Sequence, residues 1–260
     1  MFKKTLSLAA IAVTLFSCQK QESPVANEPV SQDVLTAISK AGFSTEGVIR
    51  EEGGYVVEGD IFINDDHLRT QPQWGTLTIA QTEQYRTNNL VTALPRAITV
   101  SISNKLPSSY VAALDEALGR YNAQNLAITF SRVASGADIN LVSGNGSYLA
   151  SAGFPTSAGD PYNQVKVNAR AIGTQPQSTV ASIIAHELGH CIGFRHTDYM
   201  DRSYSCGGSA TNEGASTVGA VLIPGTPSGP DAGSFMLACI GSGQNRPFNN
   251  NDVTALKYLY

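Results

Sequence analysis

The apolar positions of the chain change period several times, and each change predicts an element. Residues 1–17 pass from Lys3 and Lys4 into an apolar run, Leu6 to Phe16, which is too short to cross a bilayer and has the form of a secretory signal. Residues 18–30 (CQKQESPVANEPV) are polar, carry two prolines and show no period, as expected of a flexible tether. Val34, Leu35 and Ile38 then share one helical face and Gly42 supplies a stop. YVVEGDIFI at 55–63 is rich in the β-branched and aromatic residues of strands. Residues 31–89 therefore read as a small α+β segment, with the polar, Gln- and Thr-rich stretch 71–89 as its boundary or processing site.

Elements follow closely in residues 90–260. AITVSI (97–102) predicts a strand, Ser108 to Tyr121 an amphipathic helix with positions 111, 114 and 118 on its buried face, and LAITFSRV (126–133) and ADINLVS (137–143) two more strands. That order implies a mixed sheet with a crossover helix. YLASAGFP (148–155) is a short extended stretch, QVKVNAR (164–170) another strand, and Ser178 the N-cap of a helix running through VASIIAHELGHCIG. Residues 197–231 are dominated by Gly, Ser, Thr and Pro and predict a long irregular region. NDVTALKYLY predicts a final helix capped near Asn251, and no internal repeat is present. The fold class is α+β.

Composition narrows the function. With 260 residues, 42% hydrophobic and 15% charged, the chain is that of a folded protein. Its net charge is −4, and −6 once residues 1–17 are removed, and nothing in it suggests nucleic-acid binding, which usually needs a basic patch. Leu15-Phe16-Ser17-Cys18 resembles the lipobox of bacterial lipoproteins, implying a lipid on Cys18 and a membrane-anchored protein of the outer membrane or cell surface. The alternative is an ordinary cleaved signal and a secreted chain. Either route leads to an oxidising compartment, where Cys191, Cys206 and Cys239 allow three pairings. Cys206 with Cys239 is preferred, because Cys191 lies in the histidine-bearing helix, where a thiol serves as a small buried apolar group.

The chemistry is concentrated in His186-Glu187-Leu188-Gly189-His190. Two imidazoles four residues apart face one ion from one side of a helix, and Glu187 stands where a general base reaches a water on that ion. Gly193 permits the left-handed turn that ends the helix, and the reversing chain returns His196. Three neutral nitrogens leave the fourth position of one zinc ion open, the arrangement of a catalytic site. A rival third ligand is Glu213, but its neighbours TNEGAS are poor helix material. A rival function is a catalytically idle zinc-binding surface lipoprotein acting as a binding module, although such a site has no need of Glu187.

HELGHCIGFRH matches the metzincin pattern HExxHxxGxxH at every fixed position. Ser234-Phe235-Met236 resembles the turn that places a methionine beneath the metal in that group, whereas Ala238 stands where many metzincins have a tyrosine. Together with GFRHTDYMDRSYSCGG, IPGTP, SFMLAC and NNDVTALKYLY, the chain looks most like the bacterial dual-action HEIGH metallopeptidases. The resemblance implies a metzincin-like catalytic domain: a twisted mixed sheet, a backing helix, an active-site helix, an irregular C-terminal subdomain and a C-terminal helix. It implies one zinc, hydrolysis of protein or peptide substrates by a monomer, and a substrate-pairing edge strand at Tyr148, Leu149, Ala150, Ser151 and Ala152. Val57-Glu58-Gly59-Asp60 resembles the FxGD motif of astacin prosegments, implying that Asp60 latches the zinc. A thiol latch is excluded, since no cysteine lies between Cys18 and Cys191.

Overall fold

Ser31 opens the first helix, its side chain accepting from the Val34 amide at 3.4 Å. The computed structural model describes residues 29–69, 84–214, 219–227 and 229–260. The signal, Cys18, most of the tether, Thr70 and residues 71–83 of the expected boundary lie outside the described residues. Helix α1 (Gln32–Lys40) is followed by β1 (Ile49–Glu51), β2 (Gly54–Val57), β3 (Ile61–Asn64) and the short α2 (Asp65–Arg69). The three strands form an antiparallel meander. Ile38, Ala41, Phe43, Val57, Ile61 and Ile63 make a small core of their own beneath it.

After β4 (Tyr85–Arg86) come β5 (Arg96–Ile102), α3 (Ser109–Asn122), β6 (Ile128–Arg132), β7 (Ile139–Ser143), β8 (Ala150–Ala152) and β9 (Gln164–Val167). The chain continues through α4 (Ala169–Ile172), α5 (Gln177–Cys191), α6 (Ser203–Cys206), β10 (Val221–Leu222) and α7 (Asn250–Leu259). One mixed eight-stranded sheet has the order β1-β2-β3-β8-β9-β7-β5-β6, and β10 pairs with β4 apart from it. Strands β5, β6, β7 and β9 are parallel, joined by the crossover through α3, while β8 runs antiparallel to β9.

The main core lies between this sheet and helices α3 and α5, around Ile98, Leu114, Ile139, Ile184 and Leu188, all wholly buried. Tyr121 crosses it and donates its hydroxyl to Ala185 O at 2.7 Å. The buried face of α3 is Tyr110, Ala113, Leu114, Ala117, Leu118 and Tyr121; Val111, expected on it, sits at its margin because the face turns towards α5.

Three further expectations are corrected. Helix α5 starts at Gln177 behind Pro176, so Ser178 is inside its first turn and not its cap. Helix α7 is capped by Asn249, which accepts from the Asn251 and Asp252 amides, and not by Asn251. Only Ala150–Ala152 of the stretch 148–152 is a strand, and it is no edge. The N-terminal segment lays β3 parallel against β8, with Ile61 opposite Ala152, and the Ala152 amide donates to Asp60 O at 2.9 Å.

Candidate active site

Helix α5 carries His186, Glu187 and His190 towards the sheet, and all three are buried. Its glycine has a steric reason. A Cβ on Gly189 would lie 2.6 Å from Met236 Sδ and 2.9 Å from the Phe235 ring, so Met236 packs directly against the helix between the two histidines. Gly193, at φ 107°, turns the chain where a Cβ would meet Leu90 and the Asn89 carbonyl. The Phe194 amide then donates back to Gly189 O at 2.9 Å, and His196 arrives beside the helix.

The three imidazoles are oriented from behind. His186 Nδ1 donates to Phe235 O at 2.9 Å, His190 Nδ1 to Phe194 O at 2.8 Å, and His196 Nδ1 to Glu213 at 2.8 Å. The carbonyl partners fix Nδ1 of His186 and His190 as donors, so their Nε2 atoms turn inward as acceptors. At His196 burial is outweighed by the carboxylates of Asp60 and Glu213, which push its proton affinity well above the ordinary imidazole range. His190 Nε2 and His196 Nε2 stand 3.2 Å apart, and His186 Nε2 has no hydrogen bond. Asp60 Oδ2 lies 3.1 Å from His196 Nε2 and 3.4 Å from His186 Nε2. One ligand atom from each of these four residues lies within 4.8 Å of the others. Three imidazoles and a carboxylate converging in a buried space form a donor set that fits a divalent cation, which would take the place of the His196 proton.

Glu187 is 3% exposed, and its Oε2 has no hydrogen-bond partner. Burial, reinforced by the Asp60 carboxylate, pushes its carboxyl well above the ordinary range. Burial acts to raise Asp60 too, but the imidazoles, His196 foremost, overcome it and hold that carboxyl well below its usual value.

The structure thus brings together His186, His190, His196, Glu187, Asp60 and Met236. Glu213 is no ligand: it accepts from His196 Nδ1 and meets Arg202 Nε at 3.0 Å. Cys206 and Cys239 are joined in a disulfide and Cys191 is a buried free thiol. Tyr148 lies outside the strand, donating its hydroxyl to Glu51 at 2.9 Å, and Leu149 is partly exposed. Ala150 and Ser151 line up beside β9, opposite Val167 and Lys166.

Glu58 and Arg195 were not legible as site residues. Arg195 stands between Gly193 and His196, wholly buried, and bonds Glu58 and the carbonyls of Gly214 and Gly219. An arginine inside the apolar GF-RH stretch was the available signal, since a buried guanidinium requires a carboxylate.

Among solved structures, two of myroilysin are similar to the chain at 15% identity and 66% coverage of it. They cover 96% and 86% of their own chains, with TM-scores of 0.40 and 0.44. High choriolytic enzyme 1, a hatching enzyme zinc-protease from Oryzias latipes (medaka fish), is similar at 20% identity, over 63% of this chain and 88% of that one, with a TM-score of 0.39. No curated protein matches. The family model of the dual-action HEIGH metallo-peptidases matches residues 55–260, and the chain belongs to that family.

Proposed function

We propose that the protein is a zinc-dependent endopeptidase of the metzincin type, with His186, His190 and His196 as metal ligands and Glu187 as general base. The observation that carries this reading is the convergence of one donor atom each from His186, His190, His196 and Asp60 within 4.8 Å of one another, with each imidazole oriented through its Nδ1. When bound, zinc supplies Lewis acidity that acidifies water and polarises a carbonyl. Glu187, buried beside the cluster with an Oε2 that no group bonds, then takes the proton of the attacking water and passes it to the leaving amine. Met236 supports the helix from below at Gly189 without taking part in the reaction.

Asp60 latches the site in this reading. Its carboxylate completes a four-residue donor set, and β3 lies along β8 where an extended substrate would pair. The full chain is accordingly latent, and residues 31–89 act as its prosegment. The Cys206–Cys239 disulfide agrees with export, and a lipid on Cys18 of a monomeric, membrane-tethered chain completes the proposal on sequence grounds.

The test is metal content together with hydrolysis of casein by the Asp60→Ala chain, with and without a chelator. One zinc per chain and chelator-sensitive hydrolysis are expected. Stoichiometric zinc without hydrolysis would instead favour an idle zinc-binding module.

A further inference from the structure

Beside His186 and Glu187 lies a cavity of about 280 Å³, with Ile183, Phe235, Leu237 and Ile240 as apolar walls. One of the groups lining it is a cation, Arg246. Its backbone N–H donates to Ser182 Oγ at 2.9 Å. Ser182 stands four residues before His186 on α5, about 6 Å along the helix axis. Arg246 and His186 thus border the same cavity.

Among the described residues no carboxylate lies within ion-pairing distance of the Arg246 guanidinium. Nη1 donates to Cys239 O at 3.0 Å and Nη2 to Gln244 Oε1 at 3.5 Å, both neutral oxygens. Arg50, Arg96, Arg120, Arg132 and Arg195, by contrast, each meet a carboxylate. Arg202 also lines the cavity but is paired with Glu213. Burial lowers the proton affinity of the Arg246 guanidinium, with Asp198 and Asp252 opposing from farther away. A half-buried guanidinium with neutral partners is incomplete until an anion joins it, and its planar fork suits a carboxylate.

We propose that this cavity receives the side chain of a residue flanking the scissile bond, and that Arg246 selects an acidic one, aspartate or glutamate. Arg246 is thus a specificity-determining residue, and this inference rests on the peptidase reading above. Apolar walls hold the methylenes of the incoming side chain while the guanidinium meets its carboxylate.

The experiment uses the zinc-loaded full chain carrying Asp60→Ala, digesting a peptide library whose cleavage sites are read by mass spectrometry. Aspartate and glutamate should be enriched at one flanking position. For matched peptides with Glu or Gln there, kcat/KM should favour Glu by about tenfold or more, the scale of one charged hydrogen bond. Arg246→Gln should bring that ratio close to one, Arg246→Lys should keep part of it, and Arg246→Glu should turn the preference towards lysine. Binding gives a readout independent of turnover: the Asp60→Ala, Glu187→Ala chain should bind the Glu peptide about tenfold tighter than the Gln peptide. Cleavage without acidic enrichment, or enrichment that survives Arg246→Gln, overturns this proposal and leaves the peptidase reading standing. Absence of any cleavage overturns the peptidase reading, and equal binding of the two peptides then overturns this one as well.

Discussion

Glu58 and Arg195 meet at 3.1 Å with neither side chain exposed, which ties the N-terminal segment to the residue preceding His196. The Ser44 amide also donates to Glu58, and Glu58 adopts φ 54° ahead of Gly59 at φ 89°, a backbone that aims Asp60 into the histidine cluster. The ion pair and the Asp60 contact thus lie two residues apart on one tight turn.

Truncating one side of this pair leaves Arg195 buried and short of a partner. Glu58→Ala should therefore destabilise the full chain by about 3–5 kcal/mol, read as a lower denaturant midpoint at unchanged slope. Burial and the nearby Glu213 push the Glu58 carboxyl up against the pull of Arg195, so the neutral isostere Glu58→Gln should cost much less. Equal losses for the two variants would count against this account.

Asp60→Ala removes the carboxylate facing His196 and His186 but leaves the Glu58 anchor. Peptide hydrolysis by the full chain should rise by at least about tenfold, since each ~1.4 kcal/mol taken from the closed state opens the site tenfold more. Gly59→Ala should act in the same direction, because its Cβ would stand 2.8 Å from Arg202 Nη2 at a φ unsuited to alanine. Unchanged activity in both variants would remove the latch.

Local pattern carried most of what the sequence disclosed. The spacing of His186, His190 and Gly193 is decided within one helix and its stop, and α3 follows from the 3.6-residue period. Helix α5, buried on every side from Thr179 to Cys191, is marked by its histidine spacing instead. What escaped is long-range. Glu58 and Arg195 are 137 positions apart, and nothing in either neighbourhood names the other. The place of β8 depends on β3 arriving as its parallel neighbour, a pairing of Ile61 with Ala152 that no local period encodes. Glu213 has the residue type of a metal ligand. Its actual position, behind His196 Nδ1, depends on the fold of an irregular loop.

Substitutions at Glu187 and His190 should separate metal binding from proton transfer. Glu187 is outside the four-residue donor cluster, so Glu187→Ala should keep one zinc per chain and lose hydrolysis. His190→Ala should lose both, and chelation should lower the melting temperature of the Glu187→Ala chain while leaving that of His190→Ala unchanged, because only the former has a bound ion to lose. Full hydrolysis by Glu187→Ala would exclude it as the base.

Asp252 ties α7 to the turn beneath the histidine helix. Its carboxyl accepts from Gln84 Nε2 at 2.7 Å, Ser234 Oγ at 2.9 Å, and the amides of Asn249 and Phe235 at 2.9 and 3.2 Å. Burial outweighs these donors and lifts it to about 6. Its folded value therefore exceeds the unfolded one of about 3.9, so the native state binds this proton first. The stabilisation from that proton is complete below the unfolded value and is lost as pH rises through about 6. Against an Asp252→Asn chain, which lacks this titration and cancels the other groups, the wild-type chain should gain roughly 1 kcal/mol in unfolding free energy on going from pH 7 to pH 5. Denaturant titrations of both chains at the two pH values measure it. A difference that is flat, or that grows towards pH 7, would mean that the four donors, and not burial, govern this carboxyl.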